Sequence, residues 1–179
     1  LFFHGSIYAA TRDGTLLRYL AYVAAAGTVL SIRSGLFPQM VLGNCAQFSN
    51  SLSVISVSAV FFTGVSFGRA FLELRSLLPR LDGAARFVQY FCLLPALILW
   101  FDREAALVIE GSLALLTGPP LIALGIHHFL THRGSSIYFV IGYSLPVGAG
   151  MLENLLSNRV IDTFPGSDGI LPAAFVLEF

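Results

Sequence analysis

The sequence predicts an all-α polytopic membrane protein, a seven-helix bundle of which helices one and seven are truncated within these residues. Composition is the first reason: 56% of the residues are hydrophobic, 11% are charged, and the mean hydropathy is +0.80. A soluble domain carries roughly 25% charged residues, so this chain has too little charge to cover a globular surface. The second reason is a succession of apolar stretches close to about 20 residues long, the length that crosses the hydrocarbon core of a bilayer.

Short polar turns separate the apolar stretches and define the predicted spans. A broken first span covers residues 1–10, complete spans cover 15–32, 52–72, 87–100, 105–130 and 136–156, and a broken seventh span covers 170–179. The run Gly118–Pro120 predicts a kink in the fifth span. No internal repeat or low-complexity linker divides the chain, so residues 1–179 are expected to form a single transmembrane domain.

The ten basic residues, all arginines, are distributed unevenly between the two predicted sides of the membrane. One side carries Arg12, Arg18, Arg69, Arg75, Arg80, Arg86 and Arg133, and the other carries Arg33, Arg103 and Arg159. Cytoplasmic loops are enriched in arginine and lysine, which places the larger group in the cytoplasm. The N-terminus of helix one is then outside, and helix seven ends inside.

Four of these arginines, Arg69, Arg75, Arg80 and Arg86, gather in residues 68–86, here called the arginine-rich segment. The sequence predicts that this segment is the main cytoplasmic loop, between the third and fourth spans. Two interpretations are open. The arginines either fix the topology and contact anionic lipid, or they form a contact surface for a cytoplasmic output module.

Three acidic residues lie in or near predicted spans: Glu110, Glu153 and Glu178. Ionisable groups within a bilayer are costly and usually mark function. Glu178 lies deepest and is the strongest candidate, either as a buried polar contact between helices or as part of a ligand pocket. Glu110 lies near a helix start, where exposure at the membrane interface is the simpler interpretation.

The histidines at the end of the fifth span are the only candidate metal ligands, because His128 and His132 are four residues apart and share a helix face. No second histidine pair completes such a site, so we expect an interfacial position, no metal and no cofactor. A phosphate-binding loop, a nucleophile elbow and paired intramembrane aspartates are also missing from the sequence, which predicts no catalytic residues. A net charge of zero, without interleaved basic and aromatic residues, predicts no nucleic-acid partner.

Four motifs resemble the membrane domain of one known family, the 7TM receptors with diverse intracellular signalling modules (7TMR-DISM). They are TRDGTLLRYLAYV from Thr11, GRAFLELRSLLPRLD from Gly68, THRG from Thr131 and NRVIDTFPGSDGILPAAFVLEF from Asn158. The second motif is the most specific of the four. Glu178 matches the glutamate near the start of the family's seventh helix.

The resemblance implies a bacterial sensory receptor in the cytoplasmic (inner) membrane. An extracellular sensor domain would precede helix one in the same chain. A cytoplasmic output such as a diguanylate cyclase or histidine kinase would follow helix seven, and such outputs commonly act as homodimers. The expected mechanism is a population shift between helix packings, which requires no enzymatic activity of the membrane domain.

Two other classes of function remain open. A small-molecule transporter or channel is the main alternative, although such proteins often show inverted repeats and polar midplane sites that this sequence lacks. A membrane-embedded enzyme that uses the histidines is the third possibility.

Overall fold

A computed structural model describes residues 13–34, 46–132 and 136–157, and within these ranges every regular element is a helix. The helices are α1 (Gly14–Arg33), α2 (Ala46–Phe71), α3 (Leu74–Leu77), α4 (Pro79–Phe91), α5 (Leu94–Ile98), α6 (Arg103–His132) and α7 (Ser136–Ser157). The predicted all-α fold class is therefore confirmed. The broken spans predicted at 1–10 and 170–179 lie outside the described residues.

Among the described residues, four helical stretches are long and apolar enough to cross a membrane: Gly14–Arg33, Ser51–Phe71, Pro79–Ile98 and Arg103–Thr131. A further apolar helical stretch, Ile137–Leu152, is shorter. Large apolar side chains remain exposed, including Trp100 at 83% and Phe101 at 92%. An apolar exterior of this kind suits a bilayer, and the chain is a multi-pass membrane protein.

Helix α1 packs against α2 through one buried face. Asp13 begins the helix as its N-cap, since its carboxylate accepts a hydrogen bond from the Thr15 amide at 2.8 Å. The buried residues Tyr22, Ala26, Val29 and Ile32 follow at intervals of three and four, which places them on the same side of the helix. The ring of Tyr22 stacks on Phe67 of α2 with centroids 6.3 Å apart.

Helix α2 is the central element of the described part of residues 1–110, because it contacts α1, α3, α4 and α5. Val54 and Val65 are almost fully buried along it. On the side facing α4, Phe62 contacts Tyr90 with ring centroids 6.1 Å apart. Cys92, at the C-cap of α4, is a free and fully buried thiol.

A second compact unit begins at Gly111 and includes the described residues 111–132 and 136–157. Pro119 and Pro120 lie inside α6, and the helix continues through them to His132. A proline nitrogen carries no hydrogen, so the carbonyl oxygens of Leu115 and Leu116 lack their regular helical donors. The helix therefore continues through Gly118–Pro120, the position of the predicted kink.

Glycines let α6 approach α7 closely. A Cβ atom on Gly118 would overlap Val147 of α7, and one on Gly125 would lie 2.7 Å from a methyl carbon of Val140. Small residues at a helix interface permit this close backbone approach in membranes. The two valines thus occupy space that any larger residue at these glycine positions would take.

Candidate functional site

The arginine-rich segment is mostly helical, which differs from the predicted loop. Helix α2 ends at Phe71, α3 occupies Leu74–Leu77, and α4 begins at Pro79. Pro79 suits the first helical position, where no amide hydrogen is needed. The fourth stretch able to span the membrane accordingly begins at Pro79, eight residues before the predicted start at Phe87.

A left-handed residue makes the turn between α2 and α3. Glu73 has φ 49° and ψ 37°, a conformation in which a Cβ atom is disfavoured. Its carbonyl oxygen accepts hydrogen bonds from the amides of Ser76 and Leu77 at 3.0 and 3.1 Å, and from the Ser76 hydroxyl at 2.9 Å. The segment is thus held in a defined, strained turn.

A buried ion pair joins the end of α2 to the start of α4. Nε of Arg69 donates to Oδ1 of Asp82 at 2.9 Å, and Nη2 forms an ion pair with the same oxygen at 2.8 Å. Nη1 of the same arginine donates to Oε1 of Gln89. The side chains of Arg69 and Asp82 are only 16% and 7% exposed. Since each charge is removed from solvent, the pair depends on its partners being present.

Helix α4 is amphipathic with its polar side turned inward. Asp82, Arg86 and Gln89 are separated by four and three residues and share one face, here called the inward stripe. Asp82 and Gln89 are buried, and Arg86 donates to Oδ2 of Asp82 at 3.2 Å. By contrast, Phe87 is 72% exposed and Tyr90 is 62% exposed. This arrangement is the reverse of a water-exposed surface helix and fits a helix that faces lipid.

The four arginines of the arginine-rich segment, predicted as cytoplasmic loop contacts, fall into two groups. Arg69 and Arg86 both pair with Asp82, although Arg86 keeps a 53% exposed side chain. Arg75 and Arg80 are exposed, and neither forms an ion pair with another residue in the described part of the chain. The structure therefore brings Arg69 and Arg86 together and leaves Arg75 and Arg80 open to other molecules.

The predicted acidic sites lie only partly within the described residues. Glu110 is half-buried on α6, whereas Glu153 lies on α7 with a side chain outside the described part of the structure. Glu178 lies outside the described residues altogether. Their role as ligand contacts or interhelical polar contacts stays a prediction.

The histidines lie on α6, with His127 exposed and His128 half-buried. Among the residues that the structure describes, no three His, Cys, Asp or Glu side chains are grouped so that they could hold a metal. The expectation of an interfacial position, without metal or cofactor, stays a prediction.

Sequence reasoning missed Asp82 and Gln89 as members of a site. The signal was present in their spacing, because Asp82, Arg86 and Gln89 recur at helical intervals. Because these residues are polar, the hydropathy of the sequence favoured a loop at their positions. Their pairing with Arg69 depends on contacts across 13 and 20 residues, which local patterns do not report.

Comparison with known proteins is consistent with this architecture. The family model described as 7TM diverse intracellular signalling matches residues 1–179, the full length of the chain. Neither curated proteins nor solved structures give a match. The family is that of membrane sensory domains linked to intracellular signalling, and it agrees with the resemblance carried by the four sequence motifs. This chain belongs to the 7TM diverse intracellular signalling (7TMR-DISM) family.

Proposed function

We propose that this domain transmits an extracellular signal across the bacterial inner membrane to a cytoplasmic output module through a change in helix packing. In this proposal the sensor domain precedes the predicted first span (residues 1–10), and the output module follows the predicted seventh span (residues 170–179). The intact receptor acts as a homodimer. The observation that carries the mechanism is the buried Arg69–Asp82 pair, which links α2 to α4 within the arginine-rich segment.

The pair supports transmission because it couples the end of a membrane-spanning helix to the next helix. A shift of α2 along or around its axis displaces the Arg69 guanidinium from Oδ1 of Asp82. Separating buried charges is costly, so α4 and α2 move together unless the pair breaks. The turn at Glu73 lies between these partners and moves with them.

Arg75 is the proposed contact to the output module. It lies on α3, is exposed, and forms no ion pair with a described residue. Arginine suits bidentate contacts with carboxylates on a partner protein. Within this proposal the chain itself is not an enzyme, and the chemistry belongs to the output module.

The orientation is tested by labelling single cysteines in a Cys45→Ser, Cys92→Ala background. Ser76→Cys reports the arginine-rich segment, because Ser76 is exposed and lies before the spanning stretch that begins at Pro79. Phe101→Cys reports the opposite end of the same spanning stretch and is a matched exposed control. A membrane-impermeant maleimide should label Phe101→Cys in intact cells and Ser76→Cys only after permeabilisation. The reverse pattern would overturn the proposed orientation.

Signalling is tested in the intact protein, by measuring the activity of whatever module follows residue 179. Arg75→Gln should change that activity, whereas Arg103→Gln should not. Arg103 is a matched control because it is exposed and lies at the start of α6, on the predicted outer side. Equal behaviour of the two variants would contradict an output contact at Arg75. Solute flux through reconstituted protein, without an attached output, would favour the transporter alternative.

A further inference from the structure

The side of α4 opposite the inward stripe has one charged residue, Arg80, near its N-terminal end and apolar residues along the rest of its length. Arg80, Ala84, Phe87 and Phe91 are separated by four, three and four residues and form what is here called the outward stripe. All four are exposed, and the rings of Phe87 and Phe91 stack with centroids 6.2 Å apart. Arg80 forms no ion pair with any residue of the described ranges.

The dimensions of the outward stripe match one leaflet of a bilayer. Phe91 lies eleven positions after Arg80, which corresponds to about 16 Å along a helix. Half of a hydrocarbon core about 30 Å thick is about 15 Å. The spanning stretch begins at Pro79, so Arg80 lies where lipid headgroups begin and Phe91 lies near the depth at which acyl chains end.

The inward stripe explains why Arg80 is left open. Asp82 is the acidic residue in the first turn of α4, and it is already paired with Arg69 and Arg86. Arg80 lies on the other side of the helix and cannot share this carboxylate. An exposed guanidinium beside an apolar surface is complementary to a molecule that combines an anion with a hydrocarbon chain.

From this juxtaposition we propose that the outward stripe of α4 is a binding site for an anionic phospholipid. The Arg80 guanidinium binds the headgroup phosphate, and one acyl chain lies along Ala84, Phe87 and Phe91. The site depends on the membrane location of the chain and not on its signalling role. In this proposal Arg80 binds lipid, whereas Arg75 contacts the output module.

The test is native mass spectrometry of the intact protein in detergent, titrated with phosphatidylglycerol or with phosphatidylcholine of the same chain length. The protein should retain phosphatidylglycerol preferentially. Arg80→Gln should lower its affinity about fivefold, the value of one basic residue at an anionic surface. Arg75→Gln is the matched control, because it removes the same charge from the same segment but lies off the outward stripe, and it should change affinity less than twofold.

Phe87→Ala separates the acyl-chain contact from the headgroup contact. It should reduce the preference for long-chain over short-chain phosphatidylglycerol and leave short-chain binding unchanged. Equal retention of the two headgroups would overturn the proposal, as would equal losses in Arg75→Gln and Arg80→Gln. Competition by inorganic phosphate as strong as that by the lipid would show a phosphate site and would also overturn it. Because none of these measurements involves the output module, failure here is distinct from failure of the signalling proposal.

Discussion

Asp82→Asn should weaken the packing of α4 on α2 by about 3 kcal/mol, since removing one partner of a buried ion pair costs about 3–5 kcal/mol. Asp82 is 5% exposed, accepts a hydrogen bond from Nε of Arg69 and forms an ion pair with Nη2 of the same arginine. The substitution leaves the Arg69 charge, in a side chain only 16% exposed, facing neutral acceptors. Gln89 and the new amide oxygen still accept hydrogen bonds, which places the expected loss at the lower end of the range.

Two further variants distinguish a buried ion pair from a general effect of charge. Arg86→Gln removes the other positive charge that contacts the Asp82 carboxylate. Because the Arg86 side chain is 53% exposed and lies 3.2 Å from this carboxylate, the substitution should cost less than about 1 kcal/mol of stability. Arg69→Gln combined with Asp82→Asn removes both buried charges. The double variant should be destabilised by clearly less than the sum of the two single variants.

The thiol of Cys92 provides the assay. It is fully buried at the C-cap of α4, so a maleimide reaches it only when this helix separates from its neighbours. In a Cys45→Ser background it is the only thiol, because the chain has two cysteines. A loss of about 3 kcal/mol should raise the labelling rate about 100-fold. Equal rates for Asp82→Asn and Arg86→Gln, or a double variant as unstable as the sum, would refute the reasoning.

Three other predictions concern the backbone and are measured by thermal unfolding of the purified protein. Gly118→Ala should destabilise by about 1–3 kcal/mol because its methyl group overlaps the branched side chain of Val147, whereas Gly83→Ala, which meets open space, should be neutral or stabilising. Glu73→Gly should stabilise by up to about 1 kcal/mol by removing a Cβ atom from a left-handed residue; a loss of stability would show that its side chain is needed. Asp13→Ala should cost about 1 kcal/mol because the Thr15 amide loses its cap, and Asp13→Asn should restore most of it.

The helical framework was predictable because it follows from local composition. Apolar stretches of membrane-spanning length place α1, α6 and α7 within two residues of their predicted bounds. Asp13 and the turn that precedes Thr15 also define the beginning of α1. These features depend on neighbouring residues only, so the sequence displays them directly.

The start of α4 was not predictable in the same way. Hydropathy favours Phe87 as the start because Asp82 and Arg86 are polar. In the structure Asp82 pairs with Arg69, Arg86 pairs with Asp82, and apolar residues of α4 such as Phe87 and Tyr90 are exposed. Whether a polar residue belongs to a loop or to a spanning helix depends on its partner, and the partner here is 13 residues away.

The glycine contacts between α6 and α7 also limit how these helices move. Gly118 meets Val147 and Gly125 meets Val140, so both the glycines and the valines repeat every seven residues in opposite directions. A slide of α7 by one residue, about 1.5 Å, moves both valines away from the space beside Gly118 and Gly125 at the same time. A slide of seven residues, about 10 Å, would place only one of the two glycines opposite a valine. The two helices therefore resist sliding past each other. An axial displacement applied at one end of the pair is transmitted to the other end.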